Sequence, residues 1–144
     1  MLVQQILKSK GDDGVITVKP DMKISDVAQI MAEKRIGGVV VSKDGTTADG
    51  ILSERDIVRS LALRGAVCLK DSAGDMMTRN PVSCTRADNS DSVLTRMTDG
   101  RFRHMPVVED GKLVGIVTIE DVVKARLQEL SMEKTALEGM IMGH

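Results

Sequence analysis

Aromatic side chains are almost missing from this 144-residue chain: Phe102 is alone, with no Trp and no Tyr. Proteins that hold single-stranded nucleic acid stack its bases on several aromatic rings, so that class of function is disfavoured. An excess of one charge is missing as well, since 20 Lys and Arg against 21 Asp and Glu leave a formal net charge of -1. That balance offers no general attraction for nucleic acid or for an anionic membrane surface. No apolar run has the length that spans a bilayer, and the amino terminus shows no basic-then-apolar signal pattern. Two cysteines, Cys68 and Cys84, make no disulfide framework, and the expected compartment is the cytoplasm. They form no CxxC, no HxxxH spacing links them to His104, and no Walker-type or GxGxxG phosphate loop occurs. No metal site is expected, and the short basic run Arg101-Phe102-Arg103-His104 is flanked by acids.

What the chain does contain is a repeat. Gly50-Ile51-Leu52-Ser53-Glu54-Arg55-Asp56-Ile57-Val58 returns as Gly115-Ile116-Val117-Thr118-Ile119-Glu120-Asp121-Val122-Val123, 65 positions on. Upstream the spacing is 66: Val27 matches Val93, Met31 matches Met97, Arg35 matches Arg101 and Val41 matches Val107. One extra residue between Gly45 and Gly50 accounts for the change. Each copy is too short to bury much apolar surface alone, so the two are expected to pack as one unit with related clefts at their seam. With so few aromatics, Val, Ile, Leu and 10 methionines must fill the core.

Periodicity gives the elements. Leu2, Val3, Ile6 and Leu7 predict a short opening helix, broken at Gly11-Asp12-Asp13-Gly14. Val15–Val18 reads as a strand stopped by Pro20. Ile24, Val27, Ala28, Ile30 and Met31 predict an amphipathic helix, and Gly37-Gly38 opens a strand through Val41. A turn at Asp44-Gly45 leads to Ile51-Leu52, and Ser53 starts a helix to about Leu63. Residues 64–74 read as a polar connection with little pattern. The second copy predicts a strand at Val82–Cys84, a helix at Ser90–Thr98, a hairpin of Met105–Val108 with Leu113–Val117, and a long last helix from Thr118. Two β-α-β-β-α repeats, residues 1–70 and 71–144, form a mixed α/β (α+β) fold with pseudo-two-fold symmetry.

Ser53-x-x-Asp56 and Thr118-x-x-Asp121 admit two readings. As capping boxes they each stabilise a helix start by roughly 1 kcal/mol and say nothing about ligands. As a site, the same geometry places free N–H groups and a partial positive charge where a phosphate can sit. The acid is then an acceptor for the paired ribose hydroxyls, as in dinucleotide folds. Both readings stay open on spacing alone.

The two copies resemble CBS domains. The run strand, Gly-apolar-apolar-Ser/Thr-x-x-Asp, helix, preceded by a strand of the type Arg103-His104-Met105-Pro106-Val107-Val108, carries the resemblance from about Val3 to Leu130. It implies a bacterial-type stand-alone pair, or Bateman module, that binds adenine nucleotides. In that family the Asp binds ribose and the neighbouring Ser or Thr binds phosphate. The resemblance also implies that Ile16 and Val82 contact the base, with Ile36-Gly37-Gly38-Val39 and Phe102-Arg103-His104-Met105 as opposite walls. Asp121 is expected to share a cleft with Ile16 and Gly37, and Asp56 with Thr78, Val82 and His104. Arg103 and His104 stand where the family places a cation near phosphate, and the first copy has Gly37 and Gly38 there. Arg55 is a further phosphate candidate, replaced by Glu120 in the second copy.

The expected function is a regulatory nucleotide-sensing module without chemistry of its own, since no nucleophile–base pair or carboxylate pair is discernible. AMP is the expected ligand and NAD(H) the second. The expected partners are a second copy of the chain, in a homodimer, and a regulated protein that the sequence does not name. The alternative is a structural or oligomerisation module without ligand.

Overall fold

The computed structural model describes residues 1–11 and 15–142. The helices are α1 (Val3–Ser9), α2 (Ile24–Lys34), α3 (Glu54–Arg64), α4 (Ala73–Met76), α5 (Ser90–Gly100) and α6 (Ile119–Ile141). The strands are β1 (Thr17–Val18), β2 (Gly38–Val41), β3 (Gly50–Ser53), β4 (Thr78–Arg79), β5 (His104–Glu109) and β6 (Lys112–Thr118). The expected break after α1 falls partly on residues 12–14, outside the described residues.

In the first repeat the strands lie in the order β1-β2-β3-β4, with β1 parallel to β2 and the other pairs antiparallel. In the second, β5 and β6 form a hairpin from His104↔Thr118 to Glu109↔Lys112. Fully buried β-branched residues hold both together, because a sheet with covered faces needs apolar side chains on each side. Val39, Val40, Val41, Val107 and Val117 are all shut off from solvent. The strand expected at Val82–Cys84 shrinks to one bridge, Cys84 with Val107. Asn80 adopts φ 47°, a turn conformation, and Pro81 has no N–H to pair, so a ladder cannot start earlier.

The repeat is visible in backbone detail. Both α2 and α5 end on a left-handed arginine, Arg35 (φ 54°) and Arg101 (φ 57°). The next N–H in each copy returns to the helix, Ile36 to Met31 O and Phe102 to Met97 O, both at 3.1 Å. Each second helix is also tied to its wall strand, with Glu54 N–H on Gly37 O and Ile119 N–H on Arg103 O, both at 2.9 Å.

The connection expected to be featureless is structured. Gly65–Lys70 is a 3-10 segment that buries Cys68, and α4 is one helical turn capped by Ser72 and Asp75. Its apolar residues are too sparse to show a period, but Ala73, Leu69, Met76 and Met77 pack on the first core. The opening helix does the reverse. Val3 and Ile6 belong to the second core, with Val93, Met97, Met105 and Val122. The two cores therefore do not follow a division at 70/71, because each borrows the segment that precedes the other repeat.

Both cysteines are buried, and burial pushes the Cys84 thiol up to about 12, which leaves it protonated and inert. No helix among the described residues is long and apolar enough to cross a membrane.

Ile6→Ala tests the exchange of segments. Ile6 is 2% exposed within the second core, so truncation should lower unfolding stability by about 2–5 kcal/mol in a urea titration. A change below about 0.5 kcal/mol would mean that α1 is a surface appendage.

Candidate functional site

A cleft of about 920 Å³ opens at the seam between the repeats. That volume is at the upper end of the range for small-molecule sites. Strand-to-helix joints from both copies reach it. Ser53 ends β3 and caps α3, while Thr118 ends β6 and caps α6. No loop intervenes, so the cap, the first helical turn and the strand end face the same space.

Both capping boxes are closed. Asp56 Oδ2 accepts from Ser53 N–H at 2.9 Å and from Ser53 Oγ at 3.0 Å, and Asp56 N–H donates to Ser53 Oγ at 3.3 Å. Asp121 Oδ2 accepts from Thr118 N–H at 2.9 Å, and Asp121 N–H donates to Thr118 Oγ1 at 3.2 Å. A third box, Ser72 with Asp75, is built the same way but does not line the cleft. At these three helix starts the element acts as a cap, and location separates a mere cap from a candidate site.

Of the residues singled out in the sequence, Ile16, Ile36, Gly37, Gly38, Ser53, Arg55, Asp56 and Thr78 line the cleft. So do Phe102, Arg103, His104 and Thr118. Val39 and Met105 do not, since both side chains are fully buried in the cores, and Pro106 is buried beside them. In fully covered strands neither face is free for a ligand. Val82 is 48% exposed and lies outside the lining, a result of the lost strand. Asp121 also falls outside it. Lys10 Nζ sits 2.7 Å from Asp121 Oδ2 and 3.0 Å from Ile116 O, and it is Lys10 that faces the cleft.

The lining residues missed in the sequence are mostly cationic or acidic: Lys10, Lys34, Arg35, Arg59, Glu33, Glu54 and Glu120, with Ile51 and Ile116. Two signals were readable. Ile51 and Ile116 precede Ser53 and Thr118 by two, so they share a strand face, and Arg59 follows Arg55 by one helical turn. Lys10 has no such signal, because its partner is 111 residues away.

His104 occupies the middle. Its ring lies over Gly38, where an added Cβ would come within 2.8 Å of the imidazole Cδ2. On Gly37 a Cβ would meet Glu54 Oε1 at 3.2 Å. Gly38 and His104 are matched positions of the repeat, so the large ring of one copy requires the smallest residue in the other. Burial lowers the His104 pKa, Lys10 and Arg103 push the same way, and Glu120 and Glu54 oppose them.

Among known families, the model for the CBS domain matches residues 11–63 and 73–128. The chain belongs to the CBS-domain family. Its tandem CBS fold is similar to the crystal structure of the CBS-domain containing protein ATU1752 from Agrobacterium tumefaciens. That pair has a TM-score of 0.82 and 45% identity, over 88% of this chain and 99% of the other. A curated relative, the mitochondrial CBS domain-containing protein CBSX3 of Arabidopsis thaliana, is 31% identical over 98% of this chain and 72% of its own length. The CBS domain protein PAE2072 from Pyrobaculum aerophilum, solved in complex with AMP, matches at TM-score 0.76 and 25% identity over 92% and 99% of the two chains. The CBS domain pair of protein MJ0100, solved with 5-methylthioadenosine and S-adenosyl-L-methionine, matches at 0.76 and 27% over 90% and 98%.

The half-buried His104 gives this CBS pair a pH signature. The unfolded chain takes up a proton near the ordinary value of 6.5, whereas the fold keeps the ring neutral to lower pH. The contribution is complete above 6.5 and is lost as pH falls through the lowered folded value. Melting temperature should therefore drop more steeply from about pH 7 to about pH 5 in the parent than in His104→Asn. Parallel slopes would show that the ring is solvated.

Proposed function

We propose that this CBS pair is a regulatory module that senses adenine nucleotides in the seam cleft, with AMP as its ligand and NAD(H) as the second candidate. The observation that carries the reading is Asp56, a cleft-lining carboxylate at a helix start, with Arg55, Arg59 and Arg103 around the same space. Oδ2 is engaged by Ser53, and Oδ1 accepts no hydrogen bond from the described residues, which leaves an acceptor for ribose hydroxyls. The partial positive charge at the start of α3 and the planar guanidinium groups suit one phosphate. Glu54 and Glu120 lie in the same cleft and work against a long polyphosphate, which favours a monophosphate. Thr78, paired with Ile51 across β3 and β4, and the apolar side chains of Ile16, Ile36 and Phe102 offer surface for a base. The AMP complex of the Pyrobaculum protein and the adenosyl ligands of the MJ0100 pair support the same ligand class.

Calorimetric titration of nucleotide-stripped protein with AMP, ADP, ATP and NADH tests this. AMP should give saturable heat, and a protein without Trp or Tyr should show any co-purified adenine as a dominant band near 260 nm. Asp56→Ala should weaken AMP binding roughly ten- to a hundredfold, or about 1.5–3 kcal/mol, with an unchanged circular dichroism spectrum. No heat and no released nucleotide would leave a structural module as the better account.

We further infer that the module works as a homodimer through α3 and α6. Ile57 and Val122 turn into their own cores and are not open to a second copy. Val58 and Leu61 on α3, and Val123 (the match of Val58) with Leu127 on α6, remain exposed. One apolar helix face from each repeat can pair with its counterpart about a two-fold axis, and ligand-dependent repacking of these helices is the route by which occupancy would reach a regulated partner. Light scattering should give twice the chain mass of 15.6 kDa, and Val58→Glu with Val123→Glu should give the chain mass alone. A parent that runs as a monomer at tens of micromolar would assign these faces to a different protein.

A further inference from the structure

We propose that Lys10 is a gate and specificity residue that closes the Asp121 half of the cleft, so that each chain takes one nucleotide, at Asp56. The inference rests on the adenine-nucleotide reading above and concerns which of two matched acids is available. The repeat supplies the same Ser/Thr-x-x-Asp element twice, each closed as a reciprocal capping box. The element itself therefore gives no reason for one acid to be available and the other not. The difference comes from outside the repeat.

Lys10 Nζ donates to Asp121 Oδ2 at 2.7 Å and to the Ile116 carbonyl at 3.0 Å. The ammonium thus stands where a ribose diol would have to donate, and it has two acceptors there instead of one. Neither partner is freely solvated, the side chains being 32% and 21% exposed. A nucleoside entering this half would have to expel the ammonium and leave both Lys10 and the Ile116 carbonyl to find new partners. Asp56 faces no such competitor, since no Lys or Arg among the described residues forms an ion pair with it.

The gate is anchored. Lys10 caps the C-terminus of α1, with its N–H on Ile6 O at 3.1 Å. The helix is pinned by Val3 and Ile6 in the second core and by Val3 N–H on Asp88 O at 2.8 Å. The corresponding segment of the first half is Ser72–Met76, which bridges Lys23 as Leu2 bridges Asn89. It is a single helical turn without a cation, and the next one along, Arg79, turns back to the Gly74 carbonyl at 3.4 Å. One inserted helix therefore supplies a lysine to one acid and nothing to its twin.

Removing the ammonium should open a second site. Calorimetry with AMP should give one site per chain for the parent and two for Lys10→Met, with Lys10→Gln as a second variant that keeps the polar stem. The decisive comparison is a gain of binding: Asp56→Ala should show at least tenfold weaker AMP binding, and Asp56→Ala with Lys10→Met should recover one site. Thermal melts of each variant establish that it is folded. Two equal sites in the parent, or a double variant as weak as Asp56→Ala while Lys10→Met binds as the parent does, would overturn the gate. Absence of AMP heat from the parent and from every folded variant would instead overturn the nucleotide reading itself.

Discussion

In each half the second strand runs directly into a helix, at Ser53 and at Thr118, and the seam depends on how that junction is fixed. Without a loop, the first turn of the helix has no slack. Its N–H groups must find acceptors nearby, and one of them binds the carbonyl just before the wall strand, Gly37 or Arg103. The acid three residues on folds back to the strand end. Strand, cap and wall are then one rigid corner. Two such corners packed face to face leave a cavity between them, because neither can bend inward to fill it.

Two-fold symmetry at that seam is broken by one side chain. The matched positions Gly38 and His104 meet across the interface, and there is room for one ring but not for two. Even a Cβ in place of the Gly38 hydrogen would come within 2.8 Å of the imidazole as His104 now lies. Duplication thus sets up two equal corners, and contact at the axis obliges them to diverge. The charges diverge with them, since Arg55 in the first copy becomes Glu120 in the second.

Much of this was legible in the sequence because it is periodic. The 65- and 66-residue offsets located the paired helices and strands, and the helical spacing of Val27 with Met31 and of Val93 with Met97 identified core faces. Legibility failed where a contact has no local period. Cys68 and Ala73 are too isolated to announce that 65–76 packs as structure. Val39, Met105 and Pro106 sit beside cleft residues in sequence, but fully buried strands carry both faces inward, so adjacency did not mean access. Nothing in Leu2–Lys10 shows that it packs on the repeat furthest from it, and Lys10 meets Asp121 only through that packing.

The exchange of leading segments also sets an order of events during synthesis. The first core uses residues from Val18 to Met77, so it can close once the chain has grown through α4 and β4. The helix made before all of these cannot join its own core until Val122 and Ala125 have emerged. Domains generally fold as the chain is made, amino end first, yet here the earliest helix packs on the core made last. An apolar amphipathic segment would wait unpartnered while most of the protein is translated, and its docking would clasp the finished second half to the first. A chain halted before residue 122 could contain a complete first half and still lack the site.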